Sequence, residues 1–293
     1  RLATRLVRAT GTWPRSEHRV TDLQPTLAPE PGTSIQDLER LATDEVRRDA
    51  ALNNLIDRLT GFDSADPPMP TSPLPLSEFQ SAYRDEGLDW PSTALTMVGR
   101  RRLQNLRALI EAAVRGRVPG DIVETGVWRG GASMFARAVL ASLGVDDRRV
   151  VLADSFEGLP PPDPERWPQD AGSALHEYDG LAVGLEQVKG NFQELGLLDD
   201  RVVFVPGWFR DTMPTFPVEQ IAVLRLDGDM YESTMDPLAH LYDKVSPGGW
   251  VIIDDYIHEA CAAAVHDFLS ARGLDLTIQA IDRVGSYFQK PRP

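Results

Sequence analysis

The sequence that decides the fold is the stretch Ile221-Ala-Val-Leu-Arg-Leu-Asp-Gly-Asp229, in which a short apolar run ends in two carboxylates separated by a glycine. A run of this length, interrupted by one Arg, predicts a buried strand. A second apolar run, Gly249-Trp-Val-Ile-Ile253, ends in the same way, in Asp254 and Asp255. Because open α/β sheets bind ligands at the carboxyl ends of their strands, these four acids are predicted to meet at a binding edge. A bound cation, a shared proton or simple exposure to water must explain why four carboxylates lie together there.

Strands and helices alternate along the chain from residue 121 onward, which predicts a doubly wound, largely parallel sheet. The predicted strands are Asp121–Glu124, Val150–Asp154, Val202–Pro206, Ile221–Asp227 and Trp250–Asp254. The predicted helices between them are Gly130–Leu143, Leu181–Leu195, Thr234–Val245 and Ala260–Ala271. The chain closes with two β runs, Leu274–Ile281 and Val284–Gln289, and the tight turn between them predicts a terminal hairpin.

The first third of the chain lacks this alternation. Arg1 to Val20 is basic and Arg-rich with interleaved apolar residues, which favours an amphipathic arm over a transit segment. Thr21 to Ser34 is predicted to be a loop because of its prolines. Apolar residues at helical spacing predict one helix from Ser34 to Gly61 and another from Leu95 to Arg115. The Pro-rich stretch from Phe62 to Leu76 predicts a second loop.

Length, charge and cysteine content narrow the function classes. With 293 residues, of which 42% are hydrophobic, the chain can form a full core. A net charge of −14 argues against a nucleic-acid partner, because a phosphate backbone would be repelled. No apolar run approaches the ~20 residues of a membrane span, so no membrane partner is expected. The single cysteine, Cys261, excludes an internal disulfide and is typical of a reducing compartment, so we expect a cytoplasmic location.

The first predicted strand runs into Glu124-Thr-Gly-Val-Trp-Arg-Gly-Gly131, a glycine-containing turn before a helix. The G-x-G-x-x-G pattern that holds a pyrophosphate is absent. The observed spacing suits a ligand without phosphates, with Glu124 facing a cation such as an α-amino group; the alternative is a purely structural strand-to-helix turn. Asp154, at the end of the second strand, is predicted to accept hydrogen bonds from ribose hydroxyls, or alternatively to start the turn that follows.

Three of the four acids at the binding edge form a possible metal site. Asp227, Asp254 and Asp255, together with waters, make an all-oxygen site that prefers Mg²⁺, Mn²⁺ or Ca²⁺ to zinc. Asp229 is then free to act as a general base on a hydroxyl held by the metal. In the alternative, Asp255 caps the helix that begins near Glu259, and the other two acids belong to a turn. The histidines are not spaced as zinc ligands with Cys261 and are predicted to lie on the surface or to pack: His240, His258 and His266.

Several motifs occur in a fixed order along the chain. They are Glu124 to Gly131, Ala153-Asp-Ser-Phe-Glu-Gly-Leu-Pro160, Pro206-Gly-Trp-Phe209, Leu224 to Thr234, Ser246-Pro-Gly-Gly249 and Asp254-Asp-Tyr256, with Asp89-Trp-Pro91 and Thr96-Met97 upstream. In this order they resemble the macrocin O-methyltransferase family, whose members methylate sugar hydroxyls of macrolide and aminocoumarin antibiotics. The likeness extends over roughly Leu52 to Phe288.

The resemblance implies a class I, Rossmann-like S-adenosylmethionine-dependent methyltransferase, with a seven-stranded doubly wound sheet and a reversed last strand. Asp227, Asp254 and Asp255 match the family's Mg²⁺ ligands, with Mn²⁺ as a substitute, and Asp229 matches its proposed general base. The positions that match the cofactor pocket are Glu124, Thr125, Gly126, Trp128, Ser133, Asp154, Ser155, Phe156, Trp208 and Asp227. Thr96 and Met97 are expected to close the pocket from the N-terminal side.

The resemblance also implies an organisation in two parts. Residues 96–293 match the methyltransferase domain, with a substrate lid at the insertion Pro160 to Gly184, which contains Trp167, His176 and Tyr178. Residues 1–95 are predicted to form an N-terminal arm, helix and Pro-rich loop. Arg1 to Val20 has no counterpart in the family, whereas family analogy gives Thr21 to Leu95 the role of a lid or dimer element, so a homodimer or higher homo-oligomer is expected. Two departures from the family pattern, Ile257-His-Glu-Ala260 and Arg283, border the expected acceptor site.

These residues imply in-line displacement at the sulfonium methyl, with the metal holding two neighbouring oxygens of a glycosylated small-molecule acceptor. Positioning supplies much of the rate of such a reaction. Three alternatives are less favoured. A metal-dependent methyltransferase of a catechol or another non-sugar diol would use the same acids. An NAD-dependent oxidoreductase lacks its glycine fingerprint here, and a non-catalytic cofactor-binding or assembly protein has no need of four acids at one edge.

Overall fold

The computed structural model describes residues 33–72, 74 and 76–292, so the predicted arm Arg1 to Val20 and most of the loop that follows it lie outside the described residues. The described helices are α1 (Ile35–Glu39), α2 (Glu45–Thr60), α3 (Ser81–Asp85), α4 (Arg100–Arg115), α5 (Gly131–Ser142), α6 (Leu185–Glu194), α7 (Phe209–Thr212), α8 (Tyr231–Leu241) and α9 (Glu259–Ala271). The described strands are β1 (Asp121–Thr125), β2 (Val150–Asp154), β3 (Val202–Pro206), β4 (Ile221–Leu226), β5 (Val245–Ile253), β6 (Gln279–Ala280) and β7 (Ser286–Gln289). Within this part of the chain, no helix combines the length and apolar composition needed to cross a membrane.

The seven strands form one sheet in the order β3-β2-β1-β4-β5-β7-β6. The first five strands pair in parallel, whereas β7 runs antiparallel to both of its neighbours. The predicted doubly wound, seven-stranded sheet with a reversed last strand is therefore confirmed. Its parallel strands place their carboxyl ends at one edge, and the register pairs Glu124 of β1 directly with Arg225 of β4.

Two hydrophobic layers cover the faces of the sheet, because successive strand residues point to opposite sides. One layer packs α2, α4 and α5 against residues such as Ile122 and Val223. The other packs α8 and α9 against residues such as Val123 and Leu224. Leu38 of α1 and Leu52 of α2 lie fully buried in the first layer, so the helices of the N-terminal region share a core with the sheet.

Several element boundaries differ from the sequence prediction. The predicted helix from Ser34 to Gly61 is two helices, because the Asp44 side chain accepts a hydrogen bond from Arg47 N and caps a new helix there. The predicted helix from Leu95 to Arg115 begins at Arg100, after a stretch whose amides donate to Leu59 O. The terminal hairpin is shorter than predicted, since its first strand comprises only Gln279–Ala280.

A buried arginine fixes the loop segment that leads to the site. Arg84 is 1% exposed and pairs with Asp89 at 2.8 Å, and it also donates to the carbonyl oxygens of Thr60 and Asp66. Asp66 in turn accepts hydrogen bonds from the backbone amides of Thr93 and Ala94 at 2.8 Å. These bonds hold the chain between α2 and α4 against the body of the protein, and so position residues 96 and 97 beside the sheet edge.

Candidate active site

The loops after β1 and β4 meet at Gly126. This residue has a φ of +85°, and a Cβ built on it would lie 1.6 Å from the carbonyl oxygen of Asp227. Any side chain at this position would therefore push the two loops apart. The glycine is required because the backbone of one strand end passes directly over the backbone of the other.

Four carboxylates gather beside this contact. Oxygen atoms of Asp227, Asp254 and Asp255 lie within 4.8 Å of one another, which is the separation expected of ligands that share one metal ion. Asp229 lies next to them, and its backbone N–H donates to Oδ2 of Asp255 at 3.0 Å. The sequence prediction that these acids converge at one edge is therefore matched by the geometry.

A buried arginine lies inside the acid cluster. Arg225 is 2% exposed, and its Nη1 contacts Oε1 of Glu124 at 2.5 Å and Oδ2 of Asp227 at 2.7 Å. Its Nη2 lies 2.6 Å from Oδ1 of Asp254. A charged side chain is tolerated in the middle of a buried strand only when it is paired, and here three carboxylates pair with it.

A second arginine reaches the cluster from α4. Arg102 is 5% exposed, and its Nη1 donates to Oδ2 of Asp254. Its Nε lies 3.4 Å from Oδ2 of Asp282, and its Nη2 donates to the carbonyl oxygen of Glu86 at 3.1 Å. Arg102 therefore connects the acid cluster to the loop before β7 and to the end of α3.

Acids outnumber bases in this cluster, and their pKa values are shifted accordingly. Burial raises the pKa of the Asp227 carboxyl well above its ordinary value; Arg225 opposes that rise, while the neighbouring carboxylates add to it. Burial likewise raises the pKa of Asp255 well above its ordinary value, and repulsion from Asp229 and Asp254 adds to the rise. The described cluster therefore holds more carboxyl groups than Arg102 and Arg225 could balance if all of them were ionised, and the raised pKa values favour the neutral form of some of them.

Asp229 has the geometry and the acidity of a base. Its φ of +60° is unusual for a residue with a side chain, and strained backbone of this kind clusters at functional sites. Burial raises its pKa to about 7, with further contributions from Asp227 and Asp254 that Arg102 opposes. A carboxyl group of this pKa can both accept and release a proton near neutral pH. His258 lies beside it, with Nε2 at 3.8 Å from Oδ1 of Asp229.

A cleft with about 800 Å³ of empty space, including its open mouth, lies in front of these acids. Of the residues predicted to bind a cofactor, those that line it are Met97, Gly126, Trp128, Asp154, Ser155, Trp208 and Asp227. The predicted base, Asp229, lines the same cavity. The parts of the chain that follow β1, β2, β3 and β4 therefore contribute to one wall, as expected for a ligand that binds across the strand ends.

The other predicted cofactor residues lie behind that wall. The Ser133 hydroxyl donates a hydrogen bond to Glu124. The cation that Glu124 contacts is the guanidinium of Arg225. Thr125 is fully buried, and Thr96 accepts a hydrogen bond from Val98 N at 3.0 Å. Phe156, at a φ of +56°, packs its ring near Phe204. These residues support the cavity wall, and direct contact with a cofactor stays a prediction for them.

A family model described as Macrocin-O-methyltransferase (TylF) matches residues 67–290 of this sequence, which is most of the chain. The chain belongs to the macrocin O-methyltransferase family. The family resemblance expected from the sequence motifs is thereby confirmed, and a methyltransferase is favoured over the oxidoreductase alternative.

Individual relatives in this family are similar over most of their length. Mycinamicin III 3''-O-methyltransferase of Micromonospora griseorubida is 50% identical over 215 residues, which cover 72% of this chain and 85% of that protein. The 8-demethyl-8-(2,3-dimethoxy-alpha-L-rhamnosyl)-tetracenomycin-C 4'-O-methyltransferase of Streptomyces olivaceus is 53% identical over 204 residues, covering 69% and 78%. The solved structure of the O-methyltransferase NovP superposes with a TM-score of 0.80 at 43% identity, covering 83% of this chain and 99% of that chain.

In this family member, Asp154 is already engaged by the backbone. Its Oδ2 accepts from Val127 N at 2.6 Å and its Oδ1 accepts from Phe156 N at 2.7 Å. These bonds join the loops after β1 and β2, which is the turn-forming role weighed as its alternative. Oδ1 also accepts from the Ser155 hydroxyl at 3.3 Å, and Asp154 lines the cavity, so the same carboxylate can also face a ligand there.

Three residues of the macrocin O-methyltransferase site were missed by sequence reasoning. Arg225 and Arg102 pair with the acids, and His258 was predicted to be surface or packing but forms a second possible metal-binding group with Asp229 and Asp255. One signal was available, because an Arg inside an apolar strand requires buried carboxylate partners. No local pattern marks Arg102, since its partner Asp254 lies 152 positions away, and His258 has Asp255 nearby but meets Asp229 only in the folded chain.

Proposed function

We propose that this chain transfers a methyl group from S-adenosylmethionine to a sugar hydroxyl of a glycosylated natural product, with Mg²⁺ as a required cation. The observation that carries the proposal is that Asp227 and Asp229 line one cavity, while Asp227 also belongs to the three-carboxylate group that it forms with Asp254 and Asp255. Two relatives at about half identity support the acceptor class, since their names place the methylated oxygen on mycinamicin III and on a rhamnosyl-bearing tetracenomycin.

The acid cluster has the chemistry of a hard-cation site. Asp227, Asp254 and Asp255 offer only carboxylate oxygens, which suit Mg²⁺ or Mn²⁺. Oδ1 of Asp254 is buried and contacts Nη2 of Arg225 at 2.6 Å, and a carboxylate oxygen has a second lone pair that is available to a cation. A divalent cation held there would supply the positive charge that lowers the pKa of a coordinated sugar hydroxyl.

The chain's own residues account for the proton and for the exclusion of water. Asp229 faces the cavity and, with its raised pKa, takes the proton from the hydroxyl that is to be methylated. Leu159, together with Pro160 and Leu181 of the insertion, adds apolar surface to the cavity that Asp229 lines, which shields the ionised hydroxyl from bulk water. S-adenosylmethionine supplies an activated methyl group on a cationic sulfur, so the protein's main contribution is positioning.

The decisive experiment follows methyl transfer from labelled S-adenosylmethionine to glycosylated acceptors and to their aglycones, with Mg²⁺ and after exhaustive chelation. We expect transfer only to the glycosylated acceptors and only with the cation present. Transfer to catechols or to aglycones at equal rates would refute the acceptor class, and transfer that survives chelation would refute the metal requirement.

A matched pair of variants tests the base. Asp229→Asn should leave S-adenosylmethionine affinity nearly intact while turnover falls by about 10²–10⁴, which is the usual contribution of a general base. Asp275→Asn, which changes an exposed acid on the segment after α9, should behave like the unaltered protein. Equal turnover in the two variants would remove Asp229 from the base role.

The homo-oligomer, the cytoplasmic location and the lid function of residues 160–184 remain predictions.

A further inference from the structure

Helix α8 begins directly after the acid-bearing loop 227–230, and its first turn is capped from a distant part of the chain. The residue at its N-cap position is Met230, whose side chain is not of the kind that caps helices. Instead, Oδ1 of Asp170 accepts from Tyr231 N at 2.7 Å, and Oδ2 of Asp170 accepts from Glu232 N at 3.0 Å. Two of the amides that every helix leaves unpaired at its start are thus satisfied by one carboxylate.

Asp170 belongs to the insertion 160–184, which also forms part of the cavity wall. It is 2% exposed and ends a short 3₁₀ turn, and the ring of the preceding Trp167 lies 5.2 Å from the ring of Tyr231. Further along the insertion, the carbonyl oxygen of Gly180 accepts from Nε1 of Trp128 at 2.9 Å. The insertion is therefore held at two places, once on α8 and once on the loop after β1.

The loop between β4 and α8 is short and tightly packed. It contains four residues, and Met230 N donates to the carbonyl oxygen of Gly228 at 2.6 Å. A Cβ on Gly228 would lie 2.7 Å from Cβ of Ser233, so the loop packs directly on the first turn of α8. Asp229 lies within this loop at a strained backbone angle. A shift of the first turn of α8 must therefore move the Asp229 carboxylate.

We propose that Asp170 is a positioning residue for the base: it holds the first turn of α8 and thereby fixes Asp229 at the cavity, so that the seating of the insertion and the geometry of the base are coupled. The inference rests on the proposed function of Asp229. It differs from simple helix capping, which would stabilise the fold without a specific effect on turnover.

The test compares Asp170→Ala, Asp170→Asn and the matched control Asp179→Ala, which removes an exposed acid of the same insertion. Three quantities are measured in the full-length protein: hydrogen exchange at Tyr231 and Glu232, the dissociation constant of S-adenosylhomocysteine, and kcat and KM for methyl transfer. In Asp170→Ala we expect faster exchange at both amides, at least a tenfold fall in kcat, and cofactor affinity within about threefold of the unaltered protein. Asp170→Asn keeps one acceptor oxygen and should be intermediate.

Two outcomes would overturn the inference. One is an Asp170→Ala variant whose kcat stays within threefold of the unaltered protein, which would reduce Asp170 to a structural cap. The other is unchanged hydrogen exchange at Tyr231 and Glu232, which would overturn the contact whether or not the enzyme is active. If the Ala variant does not fold, Asp170→Asn carries the test: at least one of the two amides should exchange faster and kcat should fall more than threefold, and the absence of either change overturns the inference. If the unaltered protein itself transfers no methyl group, the proposed function fails, and the exchange measurement still tests the hold on α8.

Discussion

Replacing Arg225 by Met is expected to destabilise the protein strongly, because it removes the central cation of a buried acid cluster. The guanidinium contacts Glu124 at 2.5 Å, Asp254 at 2.6 Å and Asp227 at 2.7 Å, and it is almost fully buried. Removing one partner of a buried ion pair typically lowers the free energy of unfolding by about 3–5 kcal/mol. For a domain of this size each kcal/mol corresponds to roughly 2–4 °C, so the melting temperature should fall by roughly 6–20 °C.

The pH dependence of this loss gives a second, independent signature. Burial already raises the pKa of Glu124 to about 7, although Arg225 and Ser133 favour its ionised form. Without Arg225 that pKa rises further above its unfolded value. A carboxyl group with a raised pKa stabilises the fold below its unfolded pKa, and that stability is lost as the pH rises through the folded pKa. The deficit of Arg225→Met should therefore be small near pH 5 and large at pH 8.

The assay is urea unfolding followed by tryptophan fluorescence, at pH 5.5 and pH 8, with chelator present so that no cation substitutes for the lost charge. Arg272→Met is the matched control, because Arg272 pairs with Asp243 at 2.5 Å on the surface. Exposed pairs of this kind contribute about 0–1 kcal/mol. The reasoning is refuted if the two variants are destabilised equally, or if the loss in Arg225→Met is the same at both pH values.

Further predictions concern the loops around the cavity. Gly126→Ala should destabilise the fold and abolish methyl transfer, because its Cβ would overlap the carbonyl oxygen of Asp227. The control Gly190→Ala lies in open space within a helix and should stabilise the fold by roughly 0.5–1 kcal/mol. Thermal unfolding of the two variants distinguishes these outcomes. Mg²⁺ binding should weaken as the pH falls from 8 to 6, because the raised pKa values of Asp227 and Asp255 let protons compete with the cation. The affinity should fall by up to about tenfold per pH unit for each proton displaced. A calorimetric affinity that does not change with pH would contradict this prediction. Trp128→Phe removes the hydrogen bond to Gly180 and should speed limited proteolysis within residues 160–184; an unchanged cleavage rate would contradict that role of the bond.

The strands of the sheet could be predicted well because their signal is local. Each of the first four strands is an apolar run, and the predicted and observed boundaries agree to within one residue. The break after α1 had a local signal too, since Asp44 is a typical N-cap residue that the continuous apolar spacing obscured. The start of α4 had none: the backbone amides of Leu95 and Thr96 donate to the carbonyl oxygen of Leu59, whose position beside them depends on the folded chain.

The residues of the candidate site likewise fall into those that local sequence predicts and those that it does not. The acids at the strand ends were predictable, because strand direction alone brings Asp227 and Asp254 to one edge. Their counter-charges were not, since Arg225 meets Glu124 across 101 positions and Arg102 meets Asp254 across 152. The role of Asp170 at the start of α8 likewise depends on a contact between segments about sixty residues apart. The spacing of residues along the sequence does not predict such contacts between distant segments.

The two arginines inside the acid cluster bear on the order in which the enzyme is assembled. Small zinc-binding domains stay unfolded until the metal arrives, because nothing else offsets the repulsion and disorder of their ligands. Here Arg102 and Arg225 are covalent parts of the chain and pair with the carboxylates as the sheet closes. Folding and loading with the proposed cation are then separate events. Folded protein without the cation can therefore accumulate, and the concentration of free cation would set the fraction that is loaded.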